Sequence, residues 1–255
     1  MTAVAILLGL AIGVVVGAVG GGGAILALPV LVYVLDEPVG PASTASLVVV
    51  AVAAAVGAGS LARHGSVCWR LAFTFALPAA IGSVFGTLGS REVSAHLLVL
   101  AFVPVMLIAA ALTWRRAGES GEGGACPHPP LRRVVVAGLL VGTLTGFFGV
   151  GGGFVIVPVL TLWLDTPFRR AVGTSLVIIG LTGIAALASH LVAGARPDVG
   201  VTATLACATG AGALLGSLFA HRVPTALLGR AFAVIVATVA LALLLDVLFL
   251  GGPPT

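Results

Sequence analysis

Residues 13–29 read GVVVGAVGGGGAILALP, and residues 142–158 read GTLTGFFGVGGGFVIVP. Gly13, Gly17, Gly20, Gly22, Gly23 and Pro29 fall on Gly142, Gly146, Gly149, Gly151, Gly152 and Pro158 at one constant offset. Six identities, all Gly or Pro, identify an internal duplication. With a one-residue insertion near Gly194, Gly82, Gly86 and Phe102 match Gly212, Gly216 and Phe232, so the repeat covers nearly the whole chain. Each quoted stretch interrupts a long apolar run. The reading of the fold turns on what such an interruption does inside a membrane.

That the setting is a membrane follows from composition. The 255 residues are 60% hydrophobic and 8% charged, with a mean hydropathy of +1.25. Several apolar runs approach or exceed the ~20 residues that carry a helix across a bilayer. The fold class expected is therefore an all-α polytopic membrane protein. All twelve basic residues are Arg and stand mostly at the ends of apolar runs. They act as topology signals; no basic patch interleaved with aromatics points to nucleic acid. The N-terminus lacks a basic n-region and a persuasive cleavage site, so no removable signal peptide is expected.

Working outward, the first run spans 3–35 and three ordinary spans follow at 41–62, 69–89 and 94–114. A polar Gly- and Pro-rich stretch, 117–131, links two halves, 1–116 and 132–255. The second half repeats the plan with 134–164, 171–193, 199–220 and 225–250.

The arginines decide whether the broken run crosses. If it does, seven arginines lie on one side and five on the other. If it folds back as a re-entrant hairpin, each half makes three crossings and the second half is inverted. Ten arginines (63, 70, 115, 116, 132, 133, 169, 170, 222 and 230) then share one side, against Arg91 and Arg196. Ten against two is the asymmetry of a cytoplasmic face. The expectation is two inverted repeats, each a re-entrant broken-helix hairpin plus three transmembrane helices, with both termini extracytoplasmic.

A Gly-rich turn feeding a helix N-terminus presents unpaired N–H groups, the positive end of a helix dipole and no Cβ atoms to hold a ligand off. That is an anion site without a charged side chain. Two inverted tips would meet near the midplane. The candidate substrate-binding residues are Gly20, Gly21, Gly22, Gly23, Gly149, Gly151, Gly152 and Gly153. Thr44, Ser46, Thr174 and Ser175 join them as hydroxyl donors that alternatively cap or back-bond their own helices. Pro29 and Pro158 are expected to kink the returning half-helices. Gly13, Gly17, Gly142 and Gly146, at small-xxx-small spacing, are read as packing residues.

These residues resemble a known family. The paired segments, with Gly173-Thr174-Ser175-Leu176 in the second half, are similar to the TauE/SafE sulfite exporter family. The first copy is looser, with Gly21 in place of Val150 and Ala42-Ser43-Thr44-Ala45-Ser46-Leu47 in place of the GTSL motif. The resemblance implies a permease of the bacterial inner membrane moving small sulfur-containing anions such as sulfite, sulfoacetate or related organosulfonates, commonly outward. It implies no cofactor and no catalytic residue. The partners are the anion and the lipid bilayer, and homo-oligomerisation is compatible with it.

Asp36, Glu37, Glu92, Glu119, Glu122, Asp165, Asp198 and Asp246 all fall in loops or at span ends. None sits mid-membrane to relay protons or hold Na⁺. The alternative is a permease for another small solute, a metal ion or a neutral metabolite; the lack of intramembrane carboxylate and His clusters weighs against metals. A membrane-embedded enzyme would need a nucleophile and base, and Cys68, Cys207, His64 and His190 show no such pairing. Cys68, Cys126 and Cys207 are far apart without a CxxC, so a disulfide, metal or redox role is not expected of them. Trp69, Trp114 and Trp163 are placed as interface anchors, and Ser189-His190 as the polar end of a span.

Overall fold

A backbone in hydrocarbon must pair its own N–H and C=O groups, and apolar runs of this length do so as helices. The computed structural model describes residues 2–21, 27, 30, 31, 39–90, 95–117, 124–148, 153–192 and 199–245. Its elements are α1 (Thr2–Val19), α2 (Val39–Arg63), α3 (Trp69–Ser90), α4 (Ala95–Ala117), α5 (Leu131–Phe148), α6 (Gly153–Leu162), α7 (Phe168–Val192), α8 (Val199–Ala220) and α9 (Thr225–Leu245). Among the described residues there is no strand.

Seven helices, α2 to α5 and α7 to α9, are long and apolar enough to cross a membrane. The sequence leads one to expect six, and α5 is the difference. Its 18 residues reach about 27 Å at 1.5 Å per residue, enough by length alone. The ten residues of α6 reach only about 15 Å.

The outer surface is apolar: Leu77 and Phe85 of α3 are 69% and 65% exposed, as lipid-facing side chains are. Several hydroxyls of the bundle bond carbonyls of their own helices. Thr113 donates to the Ala109 carbonyl at 2.8 Å, Thr182 to Ile178 at 2.9 Å and Thr209 to Leu205 at 2.6 Å.

The most extensive helix pairs are α1 with α8 and α5 with α3. Glycine permits both. A Cβ on Gly13 or Gly17 would collide with the carbonyl oxygens of Thr209 or Ala213, and one on Gly142 or Gly146 with those of Ala79 or Ser83. From the other side, Gly212 and Gly216 face the Leu10 and Val14 carbonyls, as Gly82 and Gly86 face those of Leu139 and Thr143. Each contact in one pair has its counterpart in the other at the register of the sequence repeat. The packing role read for Gly13, Gly17, Gly142 and Gly146 is what the backbones require. Around these pairs, α2 lies against α7 and α8, and α4 against α9.

One end of the bundle gathers the arginines. Arg170, at the start of α7, donates to the carbonyls of Gly65 (3.1 Å) and Gly124 (2.7 Å). Arg169 donates to the Val223 carbonyl at 3.2 Å, and the rings of His64 and His221 meet at a tilt with centroids 4.1 Å apart. Arg116, near the end of α4, reaches the Thr161 carbonyl and the Asp165 carboxylate, both at 3.5 Å. The loops after α2, before α5, after α6 and after α8 therefore meet at one end. α5 leaves from that end and α6 returns to it. Trp69, Trp114 and Trp163 stand in the same region, partly exposed, with Arg230 over the Trp114 ring at 5.7 Å.

One expectation is corrected here. Cys68 and Cys126 form a disulfide, their Cα atoms 5.7 Å apart. They are separated by 58 residues, in two loops that become neighbours only because α3 packs on α5; sequence spacing does not reveal that proximity. Cys207 is a free, exposed thiol.

Candidate functional site

α1 ends at Val19 because Gly20 turns into the left-handed region, at φ 84°, which costs a residue without Cβ little. The Gly20 N–H still bonds the Val16 carbonyl at 2.8 Å, so the turn is anchored to the helix it closes. Gly21 then runs straight into the N-terminus of α6. A Cβ on Gly21 would overlap the Gly153 carbonyl and Cα. A Cβ on Gly153 would lie 2.7 Å from the Gly21 Cα and 2.8 Å from both the Gly21 oxygen and Ile179 Cδ1. The breaks of the two halves thus meet backbone to backbone, with both glycines buried.

α7 closes this contact from the side. A Cβ on Gly20 would lie 2.8 Å from Ser175 Oγ and 3.2 Å from Val157 Cγ2. Ser175 and Thr174 are fully buried. Ser175 donates its proton to the Val172 carbonyl at 2.8 Å, so its oxygen faces Gly20 as an acceptor. Thr174 Oγ1 accepts the buried N–H of Cys68 at 3.0 Å and thereby seats the loop after α2 on α7. Thr44, buried, and Ser46, half-buried, lie in the first turns of α2. Gly22, Gly23, Pro29, Gly149, Gly151 and Gly152 lie outside the described residues, as do the side chains of Ser189 and His190.

The start of α6 is a helix N-terminus. The N–H groups of its first turn have no partner within the helix, and its dipole puts positive potential at Gly153. Pro158 is buried inside α6, and its missing N–H leaves the Phe154 carbonyl without the usual i+4 donor. At the far end α6 closes with Asp165 at φ 49°, and the Thr166 N–H returns to the Leu160 carbonyl at 2.9 Å. The Arg116 cation sits at this negative helix end.

Comparison with known proteins places the chain in a family. The family profile described as "Sulfite exporter TauE/SafE" matches residues 5–243. The chain belongs to the TauE/SafE family. A "Probable membrane transporter protein" of Xylella fastidiosa strain 9a5c is 34% identical over 244 residues, covering 90% of each chain. A protein of the same description from Methanocaldococcus jannaschii is 29% identical over 194 residues, 74% of this chain and 72% of its own. The Bacillus subtilis "Probable membrane transporter protein YdhB" is 26% identical over 223 residues, 86% and 91% of the two chains. No solved structure matches the chain. The names of the family and of the relatives describe a membrane transporter, and the seven candidate spans are those of a multi-pass one.

The TauE/SafE chain also uses residues that sequence reasoning passes over. Phe102 of α4 packs edge-on against Phe154 at 5.2 Å between centroids and against Phe148 at 4.9 Å. Phe148 ends α5 and Phe154 begins α6, so one ring holds both sides of the second break. The repeat match of Phe102 with Phe232 was the available signal. Arg116 had none, because its partner carbonyl is visible only in three dimensions. At the arginine end, Arg169 donates to His221 Nδ1 at 3.2 Å, which fixes the neutral ring with its proton on Nε2. Burial, then His64, then Arg169 hold the His221 pKa below its ordinary value.

Proposed function

We propose that this TauE/SafE transporter exports a small sulfur-containing anion (sulfite, sulfoacetate or a related organosulfonate) through a site at the membrane midplane where its two Gly-rich helix breaks meet. The observation that carries the proposal is the contact of Gly21 with Gly153. Residues 1–116 and 132–255 are two inverted repeats about the linker 117–131, each with one re-entrant hairpin. The meeting of the arginine-bearing loops supports this topology. A crossing hairpin would put Arg169 and Arg170 at the opposite end from Gly65 and Gly124, whose carbonyls Arg170 holds. The return of α6 to the end from which α5 departs supports it too.

The protein lies in a bacterial inner membrane, with the arginine end in the cytoplasm and both termini outside. The anion is held by first-turn N–H groups of the half-helices, with the glycines admitting it to the backbone. Thr44, Ser46, Thr174 and Ser175 supply polar oxygens around it; Ser175 becomes a donor by exchanging the Val172 carbonyl for the anion. An inside-negative potential favours anion exit by about 2.3 kcal/mol per charge per 100 mV, so export needs no coupling carboxylate. Sulfite efflux from proteoliposomes tests this. Efflux is expected to follow the imposed potential without a pH gradient; strict dependence on the pH gradient at fixed potential contradicts uncoupled export.

A further inference from the structure

The Cys68–Cys126 bond lies where a structural disulfide is least expected. It sits at the arginine end, which the proposed topology places in the cytoplasm, where soluble thiols keep cysteines reduced. The inference that follows rests on that topology for its cellular meaning, and on the geometry alone for its chemistry.

Both cysteines border a half-open cavity of about 490 Å³, with Trp69, Arg70, Pro127 and His128 among its walls. A small thiol fits such a space. Cys68 is 3% exposed, whereas Cys126 is partly exposed and is the sulfur that can be approached. Arg170 Nη1 lies 3.2 Å from Cys126 Sγ. A guanidinium at that distance favours the thiolate of Cys126 over its thiol and makes it a good leaving group.

We propose that Cys68–Cys126 is a thiol-exchange site that ties the first half to the linker where it enters the second when oxidised and releases it when reduced, its reactant being a small cytoplasmic thiol. In the first step a thiolate attacks Cys126 Sγ. A mixed disulfide forms, the Cys68–Cys126 bond breaks, and Cys68 leaves with the electron pair and takes a proton. In the second step another thiolate attacks the outer sulfur of the mixed disulfide, and Cys126 leaves as a thiolate beside Arg170. Two small thiols are oxidised to their disulfide, and the two cysteines are reduced. A small-molecule disulfide reverses both steps.

The position of the bond gives the exchange a consequence. Cys68 belongs to the loop after α2 in the first half, and Cys126 to the segment that leads into α5 of the second. Arg170 of α7 grips both segments through Gly65 and Gly124, and the Cys68 N–H rests on Thr174, next to the Ser175 that lies beside Gly20. A covalent tie between the first half and the segment that enters α5 opposes the rocking by which inverted repeats alternate access.

The test uses the purified full chain in proteoliposomes, treated with glutathione, quenched with acid, denatured and alkylated. The oxidised protein should show one alkylated cysteine, Cys207, and the treated protein three. Arg170→Gln should slow the conversion several-fold. Hydrogen exchange over 124–130 should rise on reduction, and C68S/C126S should match the reduced form with or without glutathione. Sulfite flux should rise with the same time course. A bond that glutathione opens only after denaturation, or opens with no change in exchange at 124–130, overturns the proposal. Alkylation and hydrogen exchange need no transported substrate, so a wrong substrate class leaves this test intact.

Discussion

Gly21 and Gly153 leave each other no room for a side chain: the Cβ position of Gly153 lies 2.7 Å from the Gly21 Cα. A methyl at either residue must push the two breaks apart. Gly153→Ala is expected to abolish sulfite flux while the protein stays folded, because overpacking by one methyl costs about 1–3 kcal/mol. Flux in proteoliposomes and a thermal melt on the same sample check this; full flux would return Gly153 to a purely spacing role.

Gly142 makes the opposite case. Its missing Cβ faces the Ala79 carbonyl between α5 and α3, away from the tips. Gly142→Leu should force the two helices apart and lower the yield of folded, monodisperse protein. Flux per folded molecule in whatever survives should stay nearer wild type than for Gly153→Ala. Size-exclusion chromatography with flux normalised to folded protein makes the comparison.

Thr174 also holds the loop after α2. Thr174→Val keeps the shape and removes the acceptor of the buried Cys68 N–H. An unsatisfied buried donor costs about 1–3 kcal/mol, so the melt should fall, and Thr174→Ser should restore most of it.

How much of this was legible beforehand follows from the kind of signal involved. The helical membrane class and the family rest on composition and on Gly and Pro at fixed spacing, which are local and survive divergence. The packing glycines were legible for the same reason, since small-xxx-small spacing states the geometry of a helix pair. The disulfide was not: Cys68 and Cys126 meet because α3 lies on α5, a tertiary fact with no sequence period. The Arg116 contact with α6 was hidden likewise, whereas Phe102 carried a signal in its repeat match with Phe232. For Ser175, residue type alone left the donor's partner open, and the structure gives it as the Val172 carbonyl.

His221 predicts a pH dependence. Its pKa is lowered in the folded protein by burial, His64 and Arg169. The unfolded chain therefore binds more protons as the pH falls below the ordinary histidine value of about 6.5. Stability from this group is complete above that pH and is lost as the pH falls toward the lowered folded value. The melting temperature should drop between about pH 7.5 and pH 5, and His221→Gln should flatten that part of the profile.

Whether the meeting of the two breaks takes an anion is read from binding of sulfite, sulfoacetate, taurine, a neutral metabolite and a divalent metal ion to the purified protein, measured in parallel by calorimetry. Saturable binding of a sulfur oxyanion, lost in Gly153→Ala, is the expected result; binding of only the neutral or cationic solute contradicts it.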